Sequence, residues 1–93
     1  MNIHIEHDAV GRRFNAEVDG HPCEIDYRLA DATMTITHTG VPAAVGGRGI
    51  AGQLMRFALE TARENGWKVV PACSYAESYM AKHREFDDLR CKV

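Results

Sequence analysis

The hydrophobic pattern of this chain changes period once, and the change falls across a run of glycines. Up to Thr39 apolar and polar residues alternate, whereas from Ile50 the apolar residues recur every third or fourth position. Between them lie Gly46, Gly47 and Gly49, followed by Gly52, in the stretch VPAAVGGRGIAGQL. A strand-like first half and a helical second half that opens on residues without side chains point to a layered α+β fold, with helices laid over a sheet.

The alternation resolves into strands. Ile3, Ile5 and His7 share one face of a first strand, with Asn2, His4 and Glu6 on the other. Phe14, Ala16 and Val18 mark a second, Asp19-Gly20 a tight hairpin, and Cys23, Ile25, Tyr27 and Leu29 a third. A short turn at residues 30–32 leads to a fourth strand over residues 33–39. Connections this short join antiparallel neighbours, so residues 1–39 read as a four-stranded meander.

Residues 49–65 then read as an amphipathic helix, with Gln53, Arg56, Glu60 and Arg63 on one side and Ile50, Leu54, Phe57, Ala58 and Thr61 on the other. Asn65-Gly66 stops it, and residues 67–73 form a fifth strand that Pro71 restricts to an edge or a splayed end. A helix between the fourth and fifth strands makes those two parallel. Ser74 and Glu77 have capping-box spacing for a short second helix carrying Tyr75, Tyr79 and Met80. Phe86 and Leu89 anchor the charged tail.

At 93 residues the chain has material for one core, so residues 1–93 are expected to form a single domain. Eleven Lys and Arg against thirteen Asp and Glu leave a net charge of -2, which argues against a nucleic-acid partner. No apolar run is long enough to span a membrane and no basic-then-apolar leader opens the sequence, so a cytoplasmic protein without membrane contact is expected. Cys23, Cys73 and Cys91 are far apart, and His4, His7 and His21 lack ligand spacing, so neither a disulfide framework nor a metal site is expected.

The glycine segment is suited to an anion, because main-chain N–H groups at a helix start point outward at the positive end of the dipole. It is not a Walker loop, since Ile50 and Ala51 follow Gly49 where Lys and Ser or Thr are required. Gly47, Gly49 and Gly52 match GxGxxG literally, but an antiparallel meander and Val69, Val70 and Pro71 downstream do not suit a dinucleotide fold.

Gly46, Gly49 and Ala51 occupy the positions of the acetyl-CoA pyrophosphate loop of the GNAT acyltransferases, (Gln/Arg)xxGx(Gly/Ala), with Gly46 departing at the first. With HTGVP before the loop, GRGIAGQL through it and PACSYAESYMAKHREFDDL after the fifth strand, the chain resembles the small stand-alone GNAT-like proteins of the YjdJ type. The resemblance implies a GNAT-like fold whose fourth and fifth strands part to admit acetyl-CoA or CoA, and transfer of an acetyl group to an amine on a small molecule or a protein. The alternative is a CoA-binding interaction module without significant turnover.

By the same resemblance Val41, Val45, Gly46, Gly47, Arg48, Gly49, Ile50, Ala51, Ser74, Tyr79, Lys82 and His83 are expected around the cofactor. Cys73, beside the second helix, is read as an acyl acceptor, a positioning group or a small packing residue. Tyr79 is a candidate acid for the leaving thiolate, though no glycine precedes Phe86 as in the usual YxxxGF, and packing is its other use. His38, at the end of the fourth strand, is a candidate base for the amine or an ordinary half-exposed histidine.

Overall fold

The computed structural model describes residues 3–91. Five strands, β1 (Glu6–Asp8), β2 (Arg13–Val18), β3 (His21–Ala30), β4 (Thr33–Gly40) and β5 (Lys68–Pro71), form one sheet in sequence order. Pairing is antiparallel from β1 to β4 and parallel between β4 and β5. Helix α1 (Ile50–Asn65) joins the parallel pair, α2 (Ser74–Lys82) follows β5, and a 3-10 segment, Arg84–Leu89, closes the fold. This is the expected α+β architecture.

Alternation decides which face the helices cover. Phe14, Ala16 and Val18 of β2, Cys23, Ile25 and Tyr27 of β3, and Met34 and Ile36 of β4 are buried together beneath α1 and α2. Full burial of one such side chain contributes roughly 1.5–3 kcal/mol, which makes the other register, one residue out, unattainable. The opposite face carries Arg13, Asn15, Glu24 and Asp26, and no helix among the described residues covers it.

The start of β1 and the buried stripe of α1 differ from the sequence reading, and β5 is shorter than residues 67–73. β1 begins at Glu6 rather than near Ile3, because only Glu6, His7 and Asp8 find partners on β2; Ile3 and Ile5 instead pack as half-buried side chains against the core. Asn2 lies outside the described residues. On α1 the buried row is Ile50, Leu54, Met55, Ala58, Leu59 and Ala62, while Phe57 sits at its margin with its ring edge-on to Phe14. The stripe is therefore turned toward Met55 and Leu59, because the helix is gripped by the sheet on one side and by the 3-10 segment on the other.

Gly66 takes a left-handed φ of 73° and returns its N–H to the end of α1, which stops the helix where Asn65-Gly66 predicts. Pro71 stands at the last β4 pairing position, opposite Ile36, where a missing N–H costs the ladder least. Beyond the 3-10 segment, which buries Phe86 and Leu89, the Cys91 N–H donates to the Val69 carbonyl and covers the outer edge of β5.

Candidate functional site

The site begins where β4 and β5 part. Their ladder ends at Ile36 and Pro71, and the Ile36 carbonyl then accepts from both Ala72 and Cys73, at 2.9 and 3.1 Å. Between Asp26 and Tyr27 the β3–β4 register slips, so that His38 pairs with Asp26 and Ile36 with Tyr27, leaving Thr37 unmatched. This bulge inverts the facing of the last β4 residues. Thr39 turns to the helix side, where its Oγ1 lies 3.5 Å from Cys73 Sγ. His38 turns to the open face, where its Nε2 lies 3.2 Å from a Glu24 carboxylate oxygen.

Cys73 is the N-cap of α2. Its backbone is extended, with φ -96° and ψ 153°, and Sγ accepts the Ala76 N–H at 3.4 Å. The sequence pattern places the cap one residue later, at Ser74; in the structure Ser74 is already helical, and Glu77 reaches out to Arg90 at 3.0 Å instead of back to the cap. A thiol thus does the work usually given to a hydroxyl or carboxylate.

The glycine segment opens α1 as its spacing requires. Gly47 and Gly49 have φ of 78° and 76°, a region that costs an L side chain about 1–2 kcal/mol, and no atom lies within 4 Å of where a Cβ would stand on either. The N–H groups of Gly49, Ile50, Ala51 and Gly52 have no acceptor among the described residues. The side chains of Val45 and Ile50 point into the core, Val41 packs at its margin, and Gly46 closes the turn after Val45. Arg48 forms an ion pair with Asp19 at the β2–β3 hairpin.

From this opening a groove of about 450 Å³ runs between α1 and α2. One wall is the helical row Gly49, Gly52, Gln53 and Arg56; the other is Tyr75, Ser78, Tyr79, Lys82 and His83. Gly52 sets the spacing, since a Cβ there would stand 3.6 Å from Tyr75 Oη and 3.8 Å from the Tyr79 ring. Tyr79 stacks on His83 with ring centres 3.9 Å apart. Burial pushes both tyrosine hydroxyls above their ordinary range, and at Tyr79 the neighbouring Arg56 opposes that shift. Arg56 is held in place by Glu60 and Glu85 and lies over the Phe86 ring.

The groove therefore brings Gly49, Tyr79, Lys82 and His83 together, and leaves Gly47, Ala51, Ser74, Arg48, Cys73 and His38 outside its walls. Gln53 and Arg56 escape the sequence reading, where they count as the solvated side of α1. Their spacing from Gly49 and Gly52, one turn apart on the same row, is the signal that places them at the mouth of the loop. Among the described residues no group of His, Cys, Asp and Glu could hold a metal, and no helix is long and apolar enough to cross a membrane.

A sequence model of the GCN5-related N-acetyl-transferases matches residues 13–89, from β2 through the 3-10 segment. The chain belongs to this family. It is 31% identical over 86 residues to the protein NATD1 of Xenopus tropicalis, covering 88% of this chain and 78% of that one. NATD1 of Mus musculus is 32% identical over 85 residues, covering 87% and 76%. A solution structure of a GCN5-like protein from Staphylococcus aureus superposes with a TM-score of 0.77 at 30% identity, covering 99% of this chain and 91% of that one. This GCN5-related chain thus shares with that neighbour a five-strand sheet with β4 parallel to β5, a helix between them and a helix after them.

Proposed function

We propose that the protein binds acetyl-CoA across the mouth of α1 and the α1–α2 groove and transfers its acetyl group to an amine. The observation that carries this reading is continuity. Unpaired N–H groups at Gly49, Ile50, Ala51 and Gly52 open onto a groove walled by Tyr75 and Tyr79 of α2, the helix that Cys73 caps where β4 and β5 part. The residues present fit the ligand: the open space over Gly47 and Gly49 admits a pyrophosphate, helix N–H groups receive its oxygens, and Arg56, Lys82 and His83 add donors along the wall.

When bound, the thioester supplies an activated acetyl group. The Tyr79 hydroxyl, which burial holds above its ordinary range, keeps its proton at neutral pH and is our candidate acid for the departing thiolate. Cys73 acts as a positioning group, its sulfur holding the α2 N-terminus and facing Thr39 at the parted strands. His38 serves as the base for the amine from the other face. A calorimetric titration with CoA, followed by thiol release from acetyl-CoA with a panel of amines, tests both halves. Binding with turnover is expected, and absence of binding overturns the assignment.

The second reading is a CoA-binding module, favoured by Cys73 Sγ and the His38 ring each being held by structural contacts, to Ala76 and Thr39 and to Glu24. Binding without turnover on any amine would establish that reading.

A further inference from the structure

We infer that Glu24 is a positioning residue that fixes the His38 imidazole on the open face of the sheet, ready to take a proton from the acceptor amine; this rests on the transfer reading above. The β3–β4 bulge is what creates the pair, since it turns His38 away from the helices and toward the outward-facing residues of β3. There Nε2 lies 3.2 Å from Glu24 Oε2, with Glu24 largely covered and His38 more than half exposed. A carboxylate accepts only, so Nε2 carries the hydrogen and the Nδ1 lone pair is left free. Nδ1 has no partner among the described residues.

Gly40 is an independent mark of the same arrangement. A Cβ built there would stand 2.1 Å from Glu24 Oε2 and 2.9 Å from His38 Nε2, so the pair occupies the space that any other residue at position 40 would fill. The neighbouring carboxylate on this face is otherwise engaged. Asp26, the register partner of His38, is clamped by Arg13 through two contacts of 2.6 and 3.2 Å, and Thr37 donates to the Asp26 carbonyl. Glu24 is thus the carboxylate assigned to the imidazole.

His38 stands two residues past the last β4–β5 pair, beside the parted strands. An amine arriving from the open face meets Nδ1 on that side. The nitrogen bonds to the acyl carbon as the carbon–sulfur bond breaks; its proton passes to Nδ1 and the thiolate takes one from the Tyr79 hydroxyl. Solvent then carries the His38 proton back to the phenolate, and the charges close. Glu24 contributes by holding the tautomer and the ring orientation, and by balancing the imidazolium that forms.

The test compares wild type, Glu24→Gln and Gly40→Ala, with acetyl-CoA and two amine probes, a lysine-containing peptide and spermidine. Loss of a base costs up to about 10²–10⁴-fold, so loss of its orienting partner should lower kcat by about tenfold while KM for acetyl-CoA is unchanged. Gly40→Ala, which displaces the carboxylate without removing either group, should move kcat the same way. Nitrogen-15 shifts of the His38 ring should show an Nε2–H tautomer in wild type and a mixture in Glu24→Gln; unaltered CoA affinity certifies the fold of both variants. Wild-type turnover with unaffected kcat in both variants, or identical ring shifts, overturns the role of Glu24 alone. A wild-type protein that binds CoA yet acetylates neither probe overturns the transfer reading together with this one.

Discussion

Thr39 Oγ1 and Cys73 Sγ lie 3.5 Å apart across strands that are no longer paired, and they meet only because an extra residue in β4 turns Thr39 toward the helices. The same sulfur caps α2 through Ala76. Cys73→Ala should therefore lower stability by about 0.5–1 kcal/mol, the lower part of the range for losing a cap, and Cys73→Ser should keep most of it. Urea denaturation of the two variants checks this. Equal stability of wild type and Cys73→Ala would show that the sulfur caps nothing.

The three thiols should differ in reactivity. Cys23 is 1% exposed and burial pushes its thiol up, so it should alkylate slowest. Cys73 and Cys91 are both half-buried, but only Cys73 adjoins the parted strands. Saturating CoA should slow iodoacetamide labelling of Cys73 and leave Cys91 unchanged, as read by peptide mass mapping.

Two glycines of the site should respond in opposite senses. Gly49→Ala meets no atom but forces a side chain to φ 76°, so it should lose about 1–2 kcal/mol of stability. Gly52 is helical and its added methyl reaches only ordinary contact with Tyr75 and Tyr79, so Gly52→Ala should gain about 0.5–1 kcal/mol. Thermal melts measure both. CoA affinity should fall in both variants, through the anion cradle at Gly49 and through a narrower groove at Gly52.

Stability should decline at both ends of the pH range for different reasons. Burial lowers His7 from 6.5, with Asp8 opposing and Arg12 assisting, while its ring stacks on Phe14 and shares a hydrogen bond with Tyr27. The unfolded chain then binds the proton first, so this stability is present above pH 6.5 and lost as pH falls through the folded value. Tyr75 and Tyr79 are raised from 10.0, so their contribution is full below pH 10.0 and is lost as pH rises through the folded values. Denaturation curves across pH should show His7→Phe flattening the acid side only, and the Tyr75→Phe, Tyr79→Phe double variant the alkaline side only.

Much of the architecture is legible in residue order. Alternation in β2 and β3, Asp19-Gly20, and Asn65-Gly66 each act locally, and the parallel β4–β5 pair follows from placing one helix between two strands. The glycine turn is local too, which is why its residues and the mouth of the groove are readable together. What escapes is tertiary. Thr37 looks like any other strand residue, yet as the bulge it decides that Thr39 meets Cys73 and His38 meets Glu24. Gln53 and Arg56 look like a solvated helix face until α2 is laid beside them. Arg48 pairs with Asp19 of the β2–β3 hairpin, a contact no spacing predicts.

Amide NMR during a CoA titration tests whether the mouth of α1 receives the phosphates of CoA. The largest shifts, and protection from exchange, should fall on Gly49, Ile50, Ala51 and Gly52, whose N–H groups have no acceptor among the described residues, with smaller shifts running along α2 through Tyr79 to His83. Shifts confined to the β2–β3 hairpin or the open face of the sheet, with those four amides silent at saturation, would contradict it.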